Sequence, residues 1–278
     1  MSIVLSLITA VTFGIGDFFG GLSAKRVSAV QVVAGSHSLG LVGVLIASML
    51  IDNTFIANDF FLGVIAGAFG AIGVGLLYRG LSRGPMAVVA PITAVTSAAV
   101  PASWGVITGE RLSTLVWVGV ALAFVAIWLV SSTDRDASDE VSPKVIIEAL
   151  LAGAGFGMFF IVLDETNTIS APWPIVGARL FSATLLVAWL VLRRLPMLPP
   201  TPSGRGLIAL TGLFDTGSNV LFLYALRAGD LTTVAVLTAL YPIPTVVLAR
   251  IVLQERMTMN QLLGFVSALG ATVLIAAG

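Results

Sequence analysis

The chain has 278 residues, of which 58% are apolar and only 10% are charged. A soluble domain carries about 25% charged residues, so this composition predicts an integral membrane protein. The 14 basic and 14 acidic residues cancel, which argues against a nucleic-acid partner, and the absence of cysteine excludes disulfides, thiolate metal sites and cysteine nucleophiles.

Ten apolar segments follow one another along the chain, each of about 20 residues, the length that crosses a bilayer as a helix. We place them near residues 3–22, 29–50, 60–80, 85–107, 112–131, 145–163, 172–192, 206–226, 231–253 and 259–277. The segments are continuously apolar rather than alternating, which favours helices over a transmembrane β-barrel. No Lys or Arg precedes Lys25, so the first segment is predicted to be a retained span rather than a signal peptide.

The end of the chain repeats an earlier part. Residues 76–133 align without a gap with residues 221–278, at an offset of 145 and with 13 identities. Glu110-Arg111 matches Glu255-Arg256 in this alignment. Such self-similarity indicates an internal duplication. We therefore predict a first five-helix repeat over residues 1–133, a polar linker over 134–144 and a second repeat over 145–278.

A repeat of five spans crosses the membrane an odd number of times, so its second copy enters from the opposite side. The halves are then inverted repeats, an all-α fold of ten transmembrane helices around a central cavity. Loop charges give an independent prediction, because basic residues gather on the cytoplasmic side. Eleven basic residues fall in loops of one side and only Arg111 and Arg227 in loops of the other, which places both termini outside the cytoplasm.

Both copies of the Glu-Arg pair end similar segments, PITAVTSAAVPASWGVITGERL and LTALYPIPTVVLARIVLQERM. This pattern resembles the EamA branch of the drug/metabolite transporter superfamily, and the resemblance covers essentially the whole chain. It implies two inverted five-helix halves, a central cavity lined mainly by spans 1–4 and 6–9, peripheral spans 5 and 10, and transport of small metabolites. Many members of that family have cytoplasmic termini, whereas the loops of this chain predict the reverse.

Polar residues within the spans are the candidates for function, because they are costly in a bilayer. Asp215 lies near the middle of span 8, and Asn219 shares its helix face four residues later. A desolvated carboxylate of this kind can load and release protons at the cavity. Alternatively, Asp215 forms a structural hydrogen bond or ion pair with a neighbouring helix.

Three further polar residues are candidates. Arg179 in span 7 could bind a substrate carboxylate or phosphate, or it could neutralise Asp215. Asp17 in span 1 could be a second coupling carboxylate, or it could extend toward the basic residues after that span. His37, the only histidine, could titrate near neutral pH or form a hydrogen bond between helices.

Hydroxyl-bearing side chains complete the predicted cavity. Thr93, Ser97, Thr238 and Tyr241 are its candidate residues, whereas Tyr78 is predicted to anchor a helix end at the membrane surface. Glycines at four-residue spacing, such as Gly63 and Gly67, indicate close helix packing. One histidine and no cysteine predict no metal site, and we expect no cofactor.

These features predict a secondary transporter rather than an enzyme. It would move small metabolites or amphipathic drug-like solutes across the cell (inner or plasma) membrane by alternating access, with protons as a coupling ion. No Walker motif is present, so ATP hydrolysis does not drive it. One alternative is a membrane enzyme, although the spacing of the polar residues supports no pair of nucleophile and general base. The other is a lipid scramblase or channel on the same scaffold. A monomer is sufficient to enclose the cavity.

Overall fold

The computed structural model describes residues 1–108, 113–131, 142–199, 201–228, 234, 237, 238 and 240–277, and these form helices joined by short loops, with no strand among them. The helices are α1 (Ser2–Ala24), α2 (Ala29–Leu50), α3 (Ala57–Arg83), α4 (Met86–Ile107), α5 (Thr114–Ser131), α6 (Pro143–Asp164), α7 (Trp173–Leu192), α8 (Pro202–Ala228), α9 (Pro242–Val252) and α10 (Met259–Ala277), with a 3-10 turn at Thr168–Ser170.

The helix bounds match the predicted spans to within about one helical turn, except in the ninth. There, α9 begins at Pro242, and the preceding part of the predicted span 231–253 lies largely outside the described residues. Among the described residues, six helices, α1 to α4, α6 and α7, are long and apolar enough to cross a membrane. Large apolar side chains such as Val42, Ile72 and Phe124 are exposed on the helix surfaces, where lipid rather than water can cover them. The chain is a multi-pass membrane protein. Glu110, Arg111 and the linker up to residue 141 also lie outside the described residues.

Local sequence signals explain where several helices begin. Ser28 and Gln31 form a capping box at the start of α2, in which each side chain satisfies the backbone N–H of the other residue. Ser142 accepts a hydrogen bond from the backbone N–H of Lys144, and Pro143 occupies the first turn of α6, where it costs no hydrogen bond.

Five extensive helix pairs contribute to the frame of the molecule. Helix α1 packs along α8, α3 packs along both α6 and α7, α2 packs along α7, and α5 packs along α10. The predicted role of glycine in packing is confirmed at the α3–α7 contact. A Cβ atom at Gly63 or Gly67 would collide with the backbone of Pro174 or Ala178, so only glycine permits this approach.

Loop contacts identify the helix ends that share one face of the molecule. Glu255, between α9 and α10, accepts a hydrogen bond from the backbone N–H of Met86 at 2.9 Å, and one carboxylate oxygen lies 3.8 Å from Lys25 Nζ. Burial raises the pKa of Glu255, against the opposing effects of that N–H and of Lys25. A negative side chain at the start of α4 also complements the helix dipole.

A second group of ion pairs lies on the same face of the molecule. Arg79 Nε and Arg83 Nη1, near the end of α3, lie 2.8 and 3.4 Å from Glu148 Oε1 in α6. The two arginines neutralise a carboxylate that is almost fully buried.

The opposite face is closed by contacts between the α2–α3 and α6–α7 loops. Asp59, fully buried at the start of α3, accepts a hydrogen bond from the backbone N–H of Asn167 at 3.0 Å. Trp173 donates its indole N–H to Asn53 at 2.6 Å. These contacts and those of Glu255 and Glu148 lie at opposite ends of α3, so they stabilise the two faces separately.

Candidate functional site

Three of the predicted residues meet in one hydrogen-bonded chain between helices. Arg179 of α7 donates from Nη2 to Asp215 Oδ2 of α8 at 2.5 Å, and its Nη1 lies 2.8 Å from His37 Nε2 of α2. On the other side of the imidazole ring, His37 Nδ1 lies 2.8 Å from Ser182 Oγ. Arg179 is therefore the centre of a chain that joins three helices.

The chemistry of the donors fixes the direction of this chain. A guanidinium can only donate hydrogen bonds, so His37 Nε2 must accept and carries no proton. A neutral imidazole then has its proton on Nδ1, which donates to Ser182 Oγ. The hydroxyl of Ser182 in turn donates to the carbonyl of Ala178 at 2.8 Å. Arg179 Nε has no hydrogen-bond partner among the described residues, whereas both Nη atoms are satisfied. His37 is uncharged in this arrangement.

The chain is buried among the helices. His37 and Ser182 are each 1% exposed, Arg179 is 7% exposed and Asp215 is 9% exposed. A Cβ atom at Gly40, one turn after His37, would collide with Thr216 Oγ1 and approach Arg179. Glycine at this position therefore lets α2 lie directly against the ion pair.

Asn219 belongs to the same helix face as Asp215, as predicted from their spacing. Its Nδ2 donates to the backbone carbonyl of Asp215 at 2.7 Å, within α8. Asn219 is buried and supports the local backbone. It is not a direct partner of Arg179 in this structure.

Asp17 of α1 lies beside this chain without joining it. It is half-buried, and the neighbouring Gly16 packs against the backbone of α8 at Phe214 and Asp215. Lys25, toward which Asp17 could have extended, is paired with Glu255 instead. The structure therefore brings Asp17, His37, Arg179 and Asp215 into one region, with Asp17 as its separate member.

The predicted hydroxyl groups fall in two places. Tyr241, immediately before α9, has a buried hydroxyl without a hydrogen-bond partner among the described residues, and its backbone carbonyl packs against α1 at Gly14. The buried hydroxyl of Thr238 is also unpartnered among those residues.

Thr93 and Ser97 lie elsewhere, on α4. Thr93 is fully buried, and its hydroxyl bonds to the carbonyls of Val89 and Ala149, at 2.9 and 3.2 Å. Ser97 bonds back to Ala94 within its own helix at 2.8 Å. Both residues pack against Gly153 of α6, so they belong to a helix–helix contact.

Two important residues were missed or misinterpreted from sequence. The prediction that Tyr78 anchors a helix at the membrane surface is wrong, because its side chain is 2% exposed and packs against Gly20 of α1. Its position near the end of an apolar segment concealed this burial. Ser182 was not predicted, although it follows Arg179 by three residues and therefore shares its helix face.

No group of three or more His, Asp or Glu side chains among the described residues could hold a metal ion. The polar chain consists instead of one cation, one carboxylate, an imidazole and a hydroxyl. Such a set can bind polar solutes and transfer protons.

A family model describing the EamA-like transporter family matches residues 1–132 and again residues 143–277. The chain belongs to the EamA-like transporter family. This EamA-like protein is therefore a membrane transporter of the drug/metabolite type, with a small-molecule substrate.

Two similar proteins place this EamA-like transporter in context. It is 26% identical over 132 residues to an uncharacterised protein of Methanocaldococcus jannaschii, and the match covers 47% of this chain and 96% of that protein. One protein crystal structure aligns with a TM-score of 0.63 and 16% identity, covering 98% of this chain and 96% of the other. At that identity, the second likeness concerns the fold alone.

A double-mutant cycle tests the ion pair at the centre of the site. Removing one member of a buried pair leaves an uncompensated charge, and it costs about 3–5 kcal/mol in typical cases. We expect Arg179→Gln and Asp215→Asn each to lower the midpoint of SDS-induced unfolding in mixed micelles. The double variant should lose clearly less than the sum of the two single losses.

Asp164→Asn is the matched control, because Asp164 is exposed at the end of α6. It should leave the unfolding midpoint unchanged. Strictly additive losses for Arg179→Gln and Asp215→Asn would contradict a direct interaction between them.

Proposed function

We propose that the protein is a secondary transporter, coupled to protons, that moves small metabolites or amphipathic drug-like solutes by alternating access. The observation that carries this proposal is the polar chain through His37, Arg179 and Asp215, which is buried between apolar helices. Membership of a transporter family supplies the general activity, and the polar chain supplies a site at which a solute can be bound.

The cost of these groups supports a functional role. Charged side chains within a membrane domain are expensive, and they usually mark substrate or ion pathways. Asp17 and Asp215 are the two carboxylates of this region, and either proton loading or solute binding would alter its net charge. Coupling between proton and solute then arises because both act on the same charges.

We further infer that the two halves are inverted repeats around this site. In this division, helices α1 to α5 correspond to α6 to α10. The contact of α1 with α8 then corresponds to the contact of α6 with α3, and both contacts are extensive. Helices α2 and α7 are counterparts that contact each other, as are α5 and α10. The two successive family matches, and a relative about half as long as this chain, support the same division.

One side-chain contact gives local support for the inverted arrangement. His37 of α2 is hydrogen-bonded to Ser182 of α7, the helix that is its counterpart in this division. A contact between counterparts is expected where a pseudo-two-fold axis passes between the halves. The polar chain would then lie beside the pivot about which the halves rock.

Reconstitution tests the proposed activity. Solutes that raise the thermal stability of the purified protein identify ligands, because binding to the folded state alone stabilises it. In proteoliposomes we expect such a solute to show saturable uptake, counterflow and stimulation by an imposed proton gradient. Asp215→Asn should reduce this uptake at least about tenfold, a loss of about 1.4 kcal/mol in transition-state stabilisation.

Asp164→Asn again serves as the control and should retain wild-type uptake. Flux that rises linearly with solute concentration, without saturation or counterflow, would indicate a channel rather than a carrier. Proton stimulation that survives unchanged in Asp215→Asn would exclude Asp215 as a coupling group.

We also propose that the protein lies in the cell membrane with both termini outside the cytoplasm. Lys25, Arg79, Arg83 and Arg193 belong to the basic side predicted from loop charges, and the ion pairs of Lys25, Arg79 and Arg83 lie at helix ends of that side.

Single cysteines test this orientation, since the natural chain has none. In intact cells, an impermeant maleimide should label Ser2→Cys and should label Ser203→Cys only after the membrane is permeabilised. The reverse labelling pattern would contradict the proposed orientation, and labelling of both in intact cells would contradict their placement on opposite sides.

A further inference from the structure

The connection between α7 and α8 carries three arginines and no carboxylate. Arg193 and Arg194 directly follow α7, and Arg205 lies near the start of α8. No Asp or Glu occurs in the sequence between Glu165 and Asp215. All three arginines are exposed, and none of them forms an ion pair with a carboxylate among the described residues. This connection therefore presents three uncompensated positive charges.

A fourth arginine enters from the neighbouring loop. Gln31 of α2 donates from Nε2 to the backbone carbonyl of Pro196 at 2.7 Å, so the start of α2 lies against the α7–α8 loop. Arg26, in the short loop that leads into α2, is exposed and has no ion pair with the described residues, whereas the adjacent Lys25 is paired with Glu255. We refer to this set as the basic corner: Arg26, Arg193, Arg194 and Arg205.

Large apolar side chains are exposed beside these charges. They are Leu192, Leu195, Met197 and Leu198, which alternate with the arginines and prolines of the same loop. A short segment that exposes both arginines and large apolar side chains fits the boundary of a bilayer. There the apolar groups enter the acyl layer while the guanidinium groups stay among the headgroups. The end of α7 therefore lies at the level of the lipid headgroups.

Trp189 supports this placement and orients one arginine. Its ring is 47% exposed on the last turn of α7, and tryptophan favours the interface between membrane and water. The guanidinium carbon of Arg193 lies 4.5 Å from the centre of that ring. This cation–π contact holds Arg193 on the lipid-facing side of the helix end.

Arg194 occupies a backbone position that favours glycine. Its φ angle is 53°, in the left-handed region. The backbone N–H of Arg194 bonds to the carbonyl of Val191 at 3.0 Å, and that of Leu195 bonds to the carbonyl of Leu190 at 2.9 Å. This is the Schellman pattern, in which glycine is the usual residue because a Cβ atom is unfavourable there. The turn itself would be better served by glycine, so the arginine is explained by its charge rather than by the fold.

We propose that the basic corner binds the headgroup of an anionic phospholipid. The phosphate accepts hydrogen bonds from the guanidinium groups, and the acyl chains lie along the exposed apolar residues of the loop and of α7. A zwitterionic lipid would leave the positive charge of the corner uncompensated, which is why an anionic headgroup fits better. This site is separate from the proposed transport site. It lies on the loop that joins α7 to α8, the helices of Arg179 and Asp215, so bound lipid stabilises their connection.

Lipid titrations of the purified protein test this inference. Protein freed of native lipid in dodecyl maltoside is titrated with dioleoylphosphatidylglycerol or dioleoylphosphatidylcholine, and the thermal unfolding midpoint is followed, because ligands of the folded state raise it. We expect a saturable rise with phosphatidylglycerol, at an apparent affinity at least about tenfold above that of phosphatidylcholine. The double variant Arg193→Gln/Arg194→Gln should weaken phosphatidylglycerol binding at least about tenfold, since each basic residue beside an anionic headgroup contributes about fivefold.

Matched variants separate local binding from net charge. Arg250→Gln/Arg256→Gln removes two exposed arginines beside α9 and should bind phosphatidylglycerol like the wild type. Arg193→Lys/Arg194→Lys keeps the charge and should retain most of the binding. An equal loss of binding in the Arg250→Gln/Arg256→Gln variant would show an effect of overall charge and would overturn the inference.

Arg194→Gly distinguishes a lipid site from a merely structural arginine. In detergent alone it should unfold no earlier than the wild type, because glycine suits the left-handed backbone, yet its midpoint should rise less with phosphatidylglycerol. A variant that unfolds earlier and gains as much from the lipid would contradict the proposal. So would equal effects of the two lipids on the wild type, or binding of soluble glycerol 3-phosphate as tight as that of phosphatidylglycerol.

Discussion

The pairing of Arg179 with Asp215 is the interaction on which the centre of this protein depends. A buried guanidinium needs a counter-charge and hydrogen-bond acceptors, and here Nη2 faces a carboxylate and Nη1 an imidazole, while Nε has no partner among the described residues. That requirement keeps His37 neutral and orients it toward Ser182. Helices α2, α7 and α8 are thereby joined by polar contacts that a lipid-facing surface could not provide.

The position of this chain relates the packing of the helices to the proposed transport cycle. His37 and Ser182 meet where α2 packs against α7. Under the proposed inverted repeat these two helices are counterparts, and a point near the axis between them moves least when the two halves rock. Asp17, on α1, lies beside the chain but outside its hydrogen bonds.

Much of the fold could be predicted from the sequence, because bilayer thickness imposes a strong length signal on apolar segments. The nonrepeated polar residues Asp17, His37, Arg179 and Asp215 were also identifiable, since each interrupts an apolar helix. Their hydrogen-bonding partners were not, because partnership depends on how helices rotate about their axes, and apolar segments with little amphipathic pattern leave that rotation undetermined. The burial of Tyr78 was missed because it lies near the end of an apolar segment, the usual place of an interfacial anchor.

Nitrogen-15 NMR of the protein labelled in histidine tests the central chain most directly, because His37 is the only histidine and gives the only imidazole signals. The account predicts a neutral ring with its proton on Nδ1 and a bare Nε2 that accepts from Arg179. That tautomer should be lost in Arg179→Gln or change its Nε2 shift, while Asp164→Asn should leave the spectrum unchanged. A wild-type ring with its proton on Nε2, or with protons on both nitrogens, would contradict the account.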